Sequence, residues 1–593
     1  MKKRWLTVLL AVLVMAGMVF TACPTEDDGG GGGKKIVYDE ECDIIVVGAG
    51  VAGYSAAVGA KTAGTDYDPS APVEYNELDV RLLEKRNGPG GVTNTTGGGM
   101  NGAVANADGQ TYAQFRASWE TTQHNNQTDP KVEGYLPVNP KYPQFARLYN
   151  SYKTARTMHN FLSARGIPLS GGGTTLVNNM ANNVKTNMAI EAETNKRAVE
   201  ILMENGKVTG VRYQVYDPPS GGIGMGTPTS TYKNIKAKKV ILTTGGYSNL
   251  YETNRPLALE LAGSTPAGGY FAGIAFQVDS TGDGIVMGRN IGAALYDESY
   301  AASWYSAVAP LLYDVTSSGG TNYGRAFSYV GSMQFQSPML RAQQIVVGMD
   351  GKRFKPENNM NTSYTSNYAM YAKNKFPYWI IYSAETSADN VNIATTGTNN
   401  VPRSEAFEAA LASSNPVHKA EVAKGATLAD LADAMGMDAA GKAAFIAEVQ
   451  EYDDLVRKHQ LGAGDPGYLE WEDPLVTRSE IAYAGKPSTG TNLSRFATGP
   501  YYAVKYYPAG FDSMGGLVTN VNGQVLTKEL PMMEENDDII GAPYIIPNLY
   551  AAGATSNRFI ISYYYGGGTS IASYKAIGGQ VGRHAGEAVL AGE

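Results

Sequence analysis

Cys42-Asp43-Ile44-Ile45-Val46-Val47-Gly48-Ala49-Gly50-Val51-Ala52-Gly53 decides how this chain folds. Ile44 to Val47 is a short, continuous β-branched run, the pattern of a strand buried on both faces. The three glycines follow at once, and Tyr54-Ser55-Ala56-Ala57-Val58-Gly59-Ala60 then reads as helix. In such a strand–turn–helix the first glycine makes the turn. The second lets backbone approach a pyrophosphate, and the third packs helix on strand. A lone Gly-x-Gly-x-x-Gly is weak; the flanking strand and helix are its confirming context. Gly48, Gly50, Val51, Ala52 and Gly53 are therefore candidate cofactor-binding residues. The next strand, Asp79-Val80-Arg81-Leu82-Leu83, should end on an acid that holds ribose hydroxyls, and Glu84-Lys85 stands there. The gap from Gly53 exceeds the usual ~20 residues. A loop insertion near Thr62–Asn76 accounts for it.

A second glycine segment follows: Gly90-Gly91-Val92-Thr93-Asn94-Thr95-Thr96-Gly97-Gly98-Gly99-Met100-Asn101. With Glu84-Lys85 before it, this resembles the fumarate reductase and succinate dehydrogenase flavoproteins of the FAD-dependent oxidoreductase 2 superfamily, without a gap. The resemblance continues in order along most of the chain. It takes in the hairpin turning at Asn205-Gly206, Thr243-Thr244-Gly245-Gly246-Tyr247, Ser280-Thr281-Gly282-Asp283-Gly284, Asp350-Gly351-Lys352-Arg353-Phe354, the stretch from Thr427 to Tyr452, Ser513-Met514-Gly515-Gly516, and Asn548 to Gly553. It implies an α/β fold: a Rossmann-like, glutathione-reductase-like FAD-binding domain with an inserted α+β capping domain. The FAD domain should occupy 42–297 and 501–593, with the cap at 298–500. Helical spacing at Ala406–Ala412 and Phe445–His459, with Asp438 as N-cap, fits a mixed cap. Thr316–Tyr323 and Asp389–Asn400 read as loops. The resemblance also implies non-covalent FAD, held by Glu84, Lys85, Gly90, Gly91, Val92, Thr93, Gly98, Gly99, Met100, Val199 (an adenine contact), Thr244, Gly245, Gly246, Asp283, Gly553, Ala554, Ser570 and Ile571.

The substrate end departs from the fumarate reductases, where histidines and an arginine clamp carboxylates and a cap arginine donates a proton. After Arg353-Phe354 this chain reads Glu357-Asn358-Asn359-Met360-Asn361-Thr362-Ser363-Tyr364, without Arg. Phe511-Asp512 replaces the His-containing segment, and the C-terminal clamp arginine falls on Tyr565. A dicarboxylate needs cationic partners in a closed site, so fumarate is not the expected substrate. Tyr563-Tyr564-Tyr565-Gly566-Gly567-Gly568 instead resembles the ketosteroid dehydrogenase branch. There a Tyr and a Gly N–H, here Tyr564 and Gly568, hold a carbonyl oxygen. Donors at that oxygen stabilise charge that builds up during hydride transfer. Tyr364 is the candidate proton donor, with Tyr305 and Asp512 weaker candidates, and Tyr565 is a further candidate catalytic residue. Arg341 lies near the place of an arginine in the fumarate reductase proton relay, but its spacing to Ile345-Val346-Val347 differs by a residue.

The resemblance implies an oxidoreductase that reduces or forms a C=C bond conjugated to a carbonyl, on a small enone or enoate. A ketosteroid dehydrogenase-like enzyme and a non-catalytic ligand-binding lipoprotein on this fold remain the alternatives. With no haem-attachment motif in the chain, electrons should come from a separate partner.

The start of the chain reads as an address. Met1-Lys2-Lys3-Arg4 precedes an apolar run, Trp5 to Phe20, that is short for a spanning helix. Thr21-Ala22-Cys23 resembles a bacterial lipoprotein cleavage box, making 1–23 a signal segment with Cys23 the lipidated residue. A plain secretory signal or an uncleaved anchor is the alternative. Residues 24–41, with five consecutive glycines at Gly29–Gly33, form a flexible tether. The expectation is an exported, membrane-anchored lipoprotein facing periplasm or exterior, suited to a terminal reductase of anaerobic respiration. If Cys23 is acylated, Cys42 has no partner, which leaves no disulfide or Cys-based metal site.

Composition bounds the rest. The 593 residues carry 48 basic and 56 acidic side chains, a formal net charge of −8. With 43% hydrophobic residues, that excludes bulk disorder and argues against a nucleic-acid partner.

Overall fold

The computed structural model describes residues 35–65, 68, 70, 74–95, 109–114, 117, 155–168, 173–247, 273–274, 280–295, 300–303, 345–353, 378–387, 390–392, 400–412, 422–461, 464–468, 495–506, 509–528, 542–557 and 569–593. The chain divides into two units, Met1–Tyr38 and Asp39–Glu593, and the elements below belong to the second.

The main sheet begins with β1 (Glu40–Val47), followed by helix α1 (Val51–Lys61) and β2 (Val80–Leu83). Helices α2 (Ala155–Ala164) and α3 (Gly173–Met188) precede β3 (Ala192–Glu193), β4 (Lys196–Glu204), β5 (Lys207–Asp217) and β6 (Thr227–Leu242). Strand β1 lies between β2 and β6, parallel to both, with Ile45 opposite Arg81 and Val240. Successive side chains of a strand point to opposite faces, and β1 shows it. Ile44 and Val46 join the core under α1, while Ile45 and Val47 join the core on the other face. Both faces are dry, which is why the run is apolar without a break.

Four strands, two of them from the returning chain, make a smaller sheet. They are β7 (Gly273–Ile274), β8 (Tyr300–Ser303) and the later β15 (Ala509–Gly516) and β18 (Ser556–Asn557) that pair with them. Helix α4 (Asp283–Asn290) lies between β7 and β8 in sequence.

A second body of structure follows. Strands β9 (Ile345–Gly348) and β10 (Tyr378–Tyr382) precede helix α5 (Ala384–Ser387) and strands β11 (Asn390–Asn392) and β12 (Asn400–Pro402). Then come helix α6 (Arg403–Ala412), strand β13 (Val422–Gly425), and helices α7 (Leu428–Ala434) and α8 (Ala439–Gln460). The antiparallel order β13-β14-β10-β9 includes β14 (Tyr501–Tyr506). So the strand just past residue 500, read from sequence as the start of the returning FAD domain, pairs with β10 and β13 in this sheet. Its alternating apolar residues complete this sheet's core. Asp389–Asn400, read as a loop, has paired ends, with Val391 opposite Val401. The capping box at Thr427 and the Asp438 N-cap, which accepts from Gly441 N at 2.7 Å, start α7 and α8. Both satisfy N–H groups the first helical turn leaves open.

The chain returns to the main sheet through β16 (Gln524–Leu526) and β17 (Ile545–Ala551), the latter parallel to β6. It ends in α9 (Thr569–Leu590), which lies on α1. The two helices cross so closely that a Cβ built on Gly582 would sit 1.9 Å from Ala56 O. Among the described residues no helix is long and apolar enough to cross a membrane.

Candidate functional site

The site grows from the β1–α1 turn. Gly48 has φ +108°, open to glycine and strained for other residues, and a Cβ there would lie 2.4 Å from Thr243 O. Gly53 faces back on the turn, and its Cβ would meet Gly48 O at 1.9 Å. Gly50 differs: its nearest neighbours would be Thr93 Oγ1 at 3.5 Å and Gly90 O at 3.8 Å. A Cβ on Gly91 would meet nothing within 4 Å. The N-cap of α1 is Gly50, which has no side chain to cap the helix. The positive end of a helix behind open glycines forms a cradle for an anionic phosphate.

The second glycine segment is stitched to the first. Gly90 N donates to Ala49 O at 2.8 Å, and Val51 N donates to Thr93 Oγ1 at 3.1 Å. Val92 is half-buried beside Thr93 in a short 3-10 turn, Gly91–Thr95. Glu84, buried at the end of β2, accepts from Ala49 N on one carboxylate oxygen and from Arg86 N on the other, each at 3.0 Å. Burial pushes its carboxyl up, against the pull of those two N–H groups and of Lys85 and Arg86.

An ionic cluster stands beside it. Lys85 Nζ donates to Thr281 Oγ1 at 2.7 Å and Asp283 Oδ2 at 3.1 Å. Arg197 Nη2 donates to Asp283 Oδ1 at 2.8 Å, and its Nη1 to the Tyr216 hydroxyl at 3.1 Å. Burial raises the Asp283 carboxyl, but Lys85, Arg197 and Thr281 together hold it well below the usual carboxylate range. The sequence reading missed Arg197, because nothing local in β4 marks it as the partner of a residue 86 positions on. Val199 sits at a bulge of β4: Ala198 pairs with Tyr213 and Glu200 with Arg212, leaving Val199 opposite no residue. A bulged residue's backbone is released from the ladder.

Three further segments converge through threonines that sequence reasoning did not single out, save Thr244. Thr244 and Thr555 hydroxyls lie 3.1 Å apart, Thr555 donates to Gly245 O at 3.1 Å, and Gly284 N donates to Thr244 Oγ1 at 3.0 Å. Gly246 O accepts from Gly282 N at 3.0 Å. Gly553, at φ +69°, is close enough to α1 that its Cβ would lie 2.8 Å from Ala52 Cβ, and Ala554 follows it half-buried. Ser570 and Ile571 are buried in the first turn of α9. The structure thus gathers every described cofactor candidate around the C-terminal ends of β1, β2 and β6 or on elements packed there. An open crevice at strand carboxyl ends is where α/β sheets bind nucleotides.

The substrate end is described less far. Asp512 lies in β15 opposite Ala302, after a bulge at Gly510; its side chain is outside the described residues. So are Gly98, Gly99, Met100, Tyr305, Arg341, Tyr364, Tyr564, Tyr565, Gly568 and Cys23.

The residues present fit FAD: an open two-glycine cradle, a helix start entered through glycine, and a buried acid at the end of β2. A family model described as "FAD binding domain" matches residues 43–571. The urocanate reductase of Eggerthella lenta is 24% identical over 540 residues, 86% of this chain and 69% of that protein. The 3-oxosteroid 1-dehydrogenase of Mycolicibacterium smegmatis is 24% identical over 390 residues, covering 64% of this chain and 56% of that protein. Among solved structures, the open conformation of a flavocytochrome c3 fumarate reductase matches with TM-score 0.51 and 19% identity, over 98% of this chain and 81% of that one.

Proposed function

The chain belongs to the FAD-binding-domain family of FAD-dependent oxidoreductases acting on C=C bonds, and from that premise we propose that its substrate is an enone or enoate other than fumarate. The carrying observation is the exchange of the cationic clamp for tyrosines. Tyr364, Phe511-Asp512 and Tyr565 stand where the resemblance to fumarate reductases calls for Arg or His. A closed site without cations does not hold a dicarboxylate.

FAD, when bound, supplies the two-electron hydride chemistry. Glu84 would hold the ribose, Gly50, Val51, Gly90, Gly91 and Thr93 the pyrophosphate, and the bulged backbone at Val199 the adenine. At the substrate, Tyr564 O–H and Gly568 N–H donate to the carbonyl oxygen, which gains charge as the β-carbon changes hydrogen. Tyr364 exchanges the α-proton. Reduction is favoured over dehydrogenation, with electrons arriving from a separate protein, and Cys23 carries the lipid that holds the enzyme at an exported membrane face. An aryl enoate is one class to try, since one relative bears the name urocanate reductase. The steroid relative keeps a ketosteroid dehydrogenase as the second reading, favoured by the Tyr564/Gly568 spacing.

The test is anaerobic oxidation of a reduced viologen dye by the purified protein, against enoates, aryl enoates, quinones, keto-steroid enones and fumarate. Turnover of one non-fumarate class, lost in Tyr564→Phe, is the expected result. Rapid fumarate turnover overturns the reading. Activity only with a dye acceptor and a saturated ketosteroid selects the second.

A further inference from the structure

The β5–β6 connection, Pro218-Pro219-Ser220-Gly221-Gly222-Ile223-Gly224-Met225-Gly226, does not stand free as a hairpin tip. It closes on itself at Gly226, where a Cβ would lie 1.7 Å from Asp217 O. It then lies along Arg86–Gly88. Asn87 makes three hydrogen bonds to it: its Nδ2 donates to Gly222 O at 3.0 Å, its Oδ1 accepts from Gly224 N at 2.9 Å, and its own N–H donates to Gly224 O at 3.1 Å. Arg86 adds an Nη2 bond to Ile223 O at 3.0 Å and an antiparallel bridge to Met225. The Ile223 side chain covers Gly88, within 3.2 Å of where a Cβ would stand, yet is 49% exposed.

The place of these contacts gives them meaning. Residues 84–93 form one arc, with Glu84 fixed at one end by Ala49 N and Gly90 and Thr93 fixed at the other by Ala49 O and Val51 N. The middle, Arg86 to Pro89, belongs to no helix or strand. Backbone without a ladder of its own needs partners from elsewhere: Asn195 N donates to Arg86 O at 2.8 Å and Asn94 Nδ2 to Pro89 O at 2.9 Å, while the 218–226 loop holds Asn87. We propose that this loop is a strap that sets the path of the phosphate-binding glycine segment. Asn87 is its latch, a positioning residue acting through Gly88–Thr93. Retention of the adenosine diphosphate half of FAD then depends on a contact made by a distant hairpin. The proposal rests on the cofactor and not on the substrate reading, so it stands or falls even if no substrate is found.

The test uses the full chain, stripped of FAD and titrated back by flavin fluorescence, as wild type, Asn87→Ala and Ile223→Ser. Loss of the two side-chain latch bonds should weaken FAD binding about tenfold in Asn87→Ala, and severalfold less in Ile223→Ser, which keeps every hydrogen bond. Hydrogen–deuterium exchange of the apoprotein should speed up in a peptide spanning 86–93 and stay unchanged across α1. FAD affinity within twofold of wild type in Asn87→Ala overturns the proposal. So does faster exchange across α1 to the same degree, which marks general loosening. Should Asn87→Ala fail to fold, Ile223→Ser decides alone: local exchange with weaker FAD supports the strap, and neither change refutes it.

Discussion

Arg197 on β4 and Asp283 at the start of α4 share a 2.8 Å ion pair that ties the hairpin to a helix 86 residues later in the chain. Lys85 completes it from the end of β2. The carboxylate is nearly buried, with 9% of its side chain exposed. Replacing one partner of a buried pair strands the other charges, at a cost of about 3–5 kcal/mol. Asp283→Asn should therefore lower the melting temperature and release FAD, with Arg197→Lys milder than Arg197→Ala. The pH dependence has a definite sign. The folded-state pKa is depressed, so this stability is complete above the ordinary carboxylate range and is lost only as pH falls through the folded value. Thermal melts from pH 4.5 to 8 should show no loss from this group; a difference between wild type and Asp283→Asn that shrinks within that window contradicts the assignment.

Two glycines of one motif should behave differently. A Cβ at Gly53 collides with backbone, while a Cβ at Gly50 enters the open cradle. Gly53→Ala should destabilise the apoprotein by several kcal/mol, of order 3, since neither backbone can yield cheaply. Gly50→Ala should melt within a few degrees of wild-type apoprotein yet purify colourless. Flavin absorbance and apoprotein melting, measured on both, check this; a yellow Gly50→Ala variant contradicts the cradle.

Lys575, buried in α9, donates to Pro168 O at 2.7 Å, and burial pushes its ammonium down to about 8. Between that value and its ordinary one the unfolded chain holds more protons, so stability from this group rises with pH there. Lys575→Met should stabilise the protein at pH 7 by about 1–3 kcal/mol. The gain should shrink as pH climbs from 8 towards 10. Chemical denaturation at pH 7 and pH 9.5 tests it, and a constant gap speaks against a buried ammonium.

If Cys23 is the lipidated residue, Cys23→Ser should abolish incorporation of a labelled fatty acid and move the protein from membrane to soluble fractions. Unchanged labelling would assign any anchor to another residue.

Much of the fold was legible because its signals are local. The apolar run Ile44–Val47 needs two dry faces, and it has them. Asn205-Gly206 places both residues at positive φ, 51° and 75°, as a tight hairpin turn requires. Asp438 caps α8 through a bond spanning three residues. What stayed hidden spans the chain: Arg197 on Asp283, Asn87 on Gly222 and Gly224, Thr244 on Thr555. Single residues of common type carry these contacts, and no periodicity marks them. A boundary at residue 501 does not tell that β14 pairs with β10 and β13, since a strand's partners are not written in the strand.

The closeness of α1 and α9 bears on how the protein is made. The helix that opens the cofactor cradle rests on a helix drawn from residues 569–590, and β17, from residues 545–551, lies beside β6. A growing chain cannot form this packing until residues 569–590 have been made, and α1 buries its small side chains closely against them. Domains assemble as units once all their parts are present. A chain cut before residue 569 should therefore be not a weakened enzyme but a polypeptide without a cofactor site.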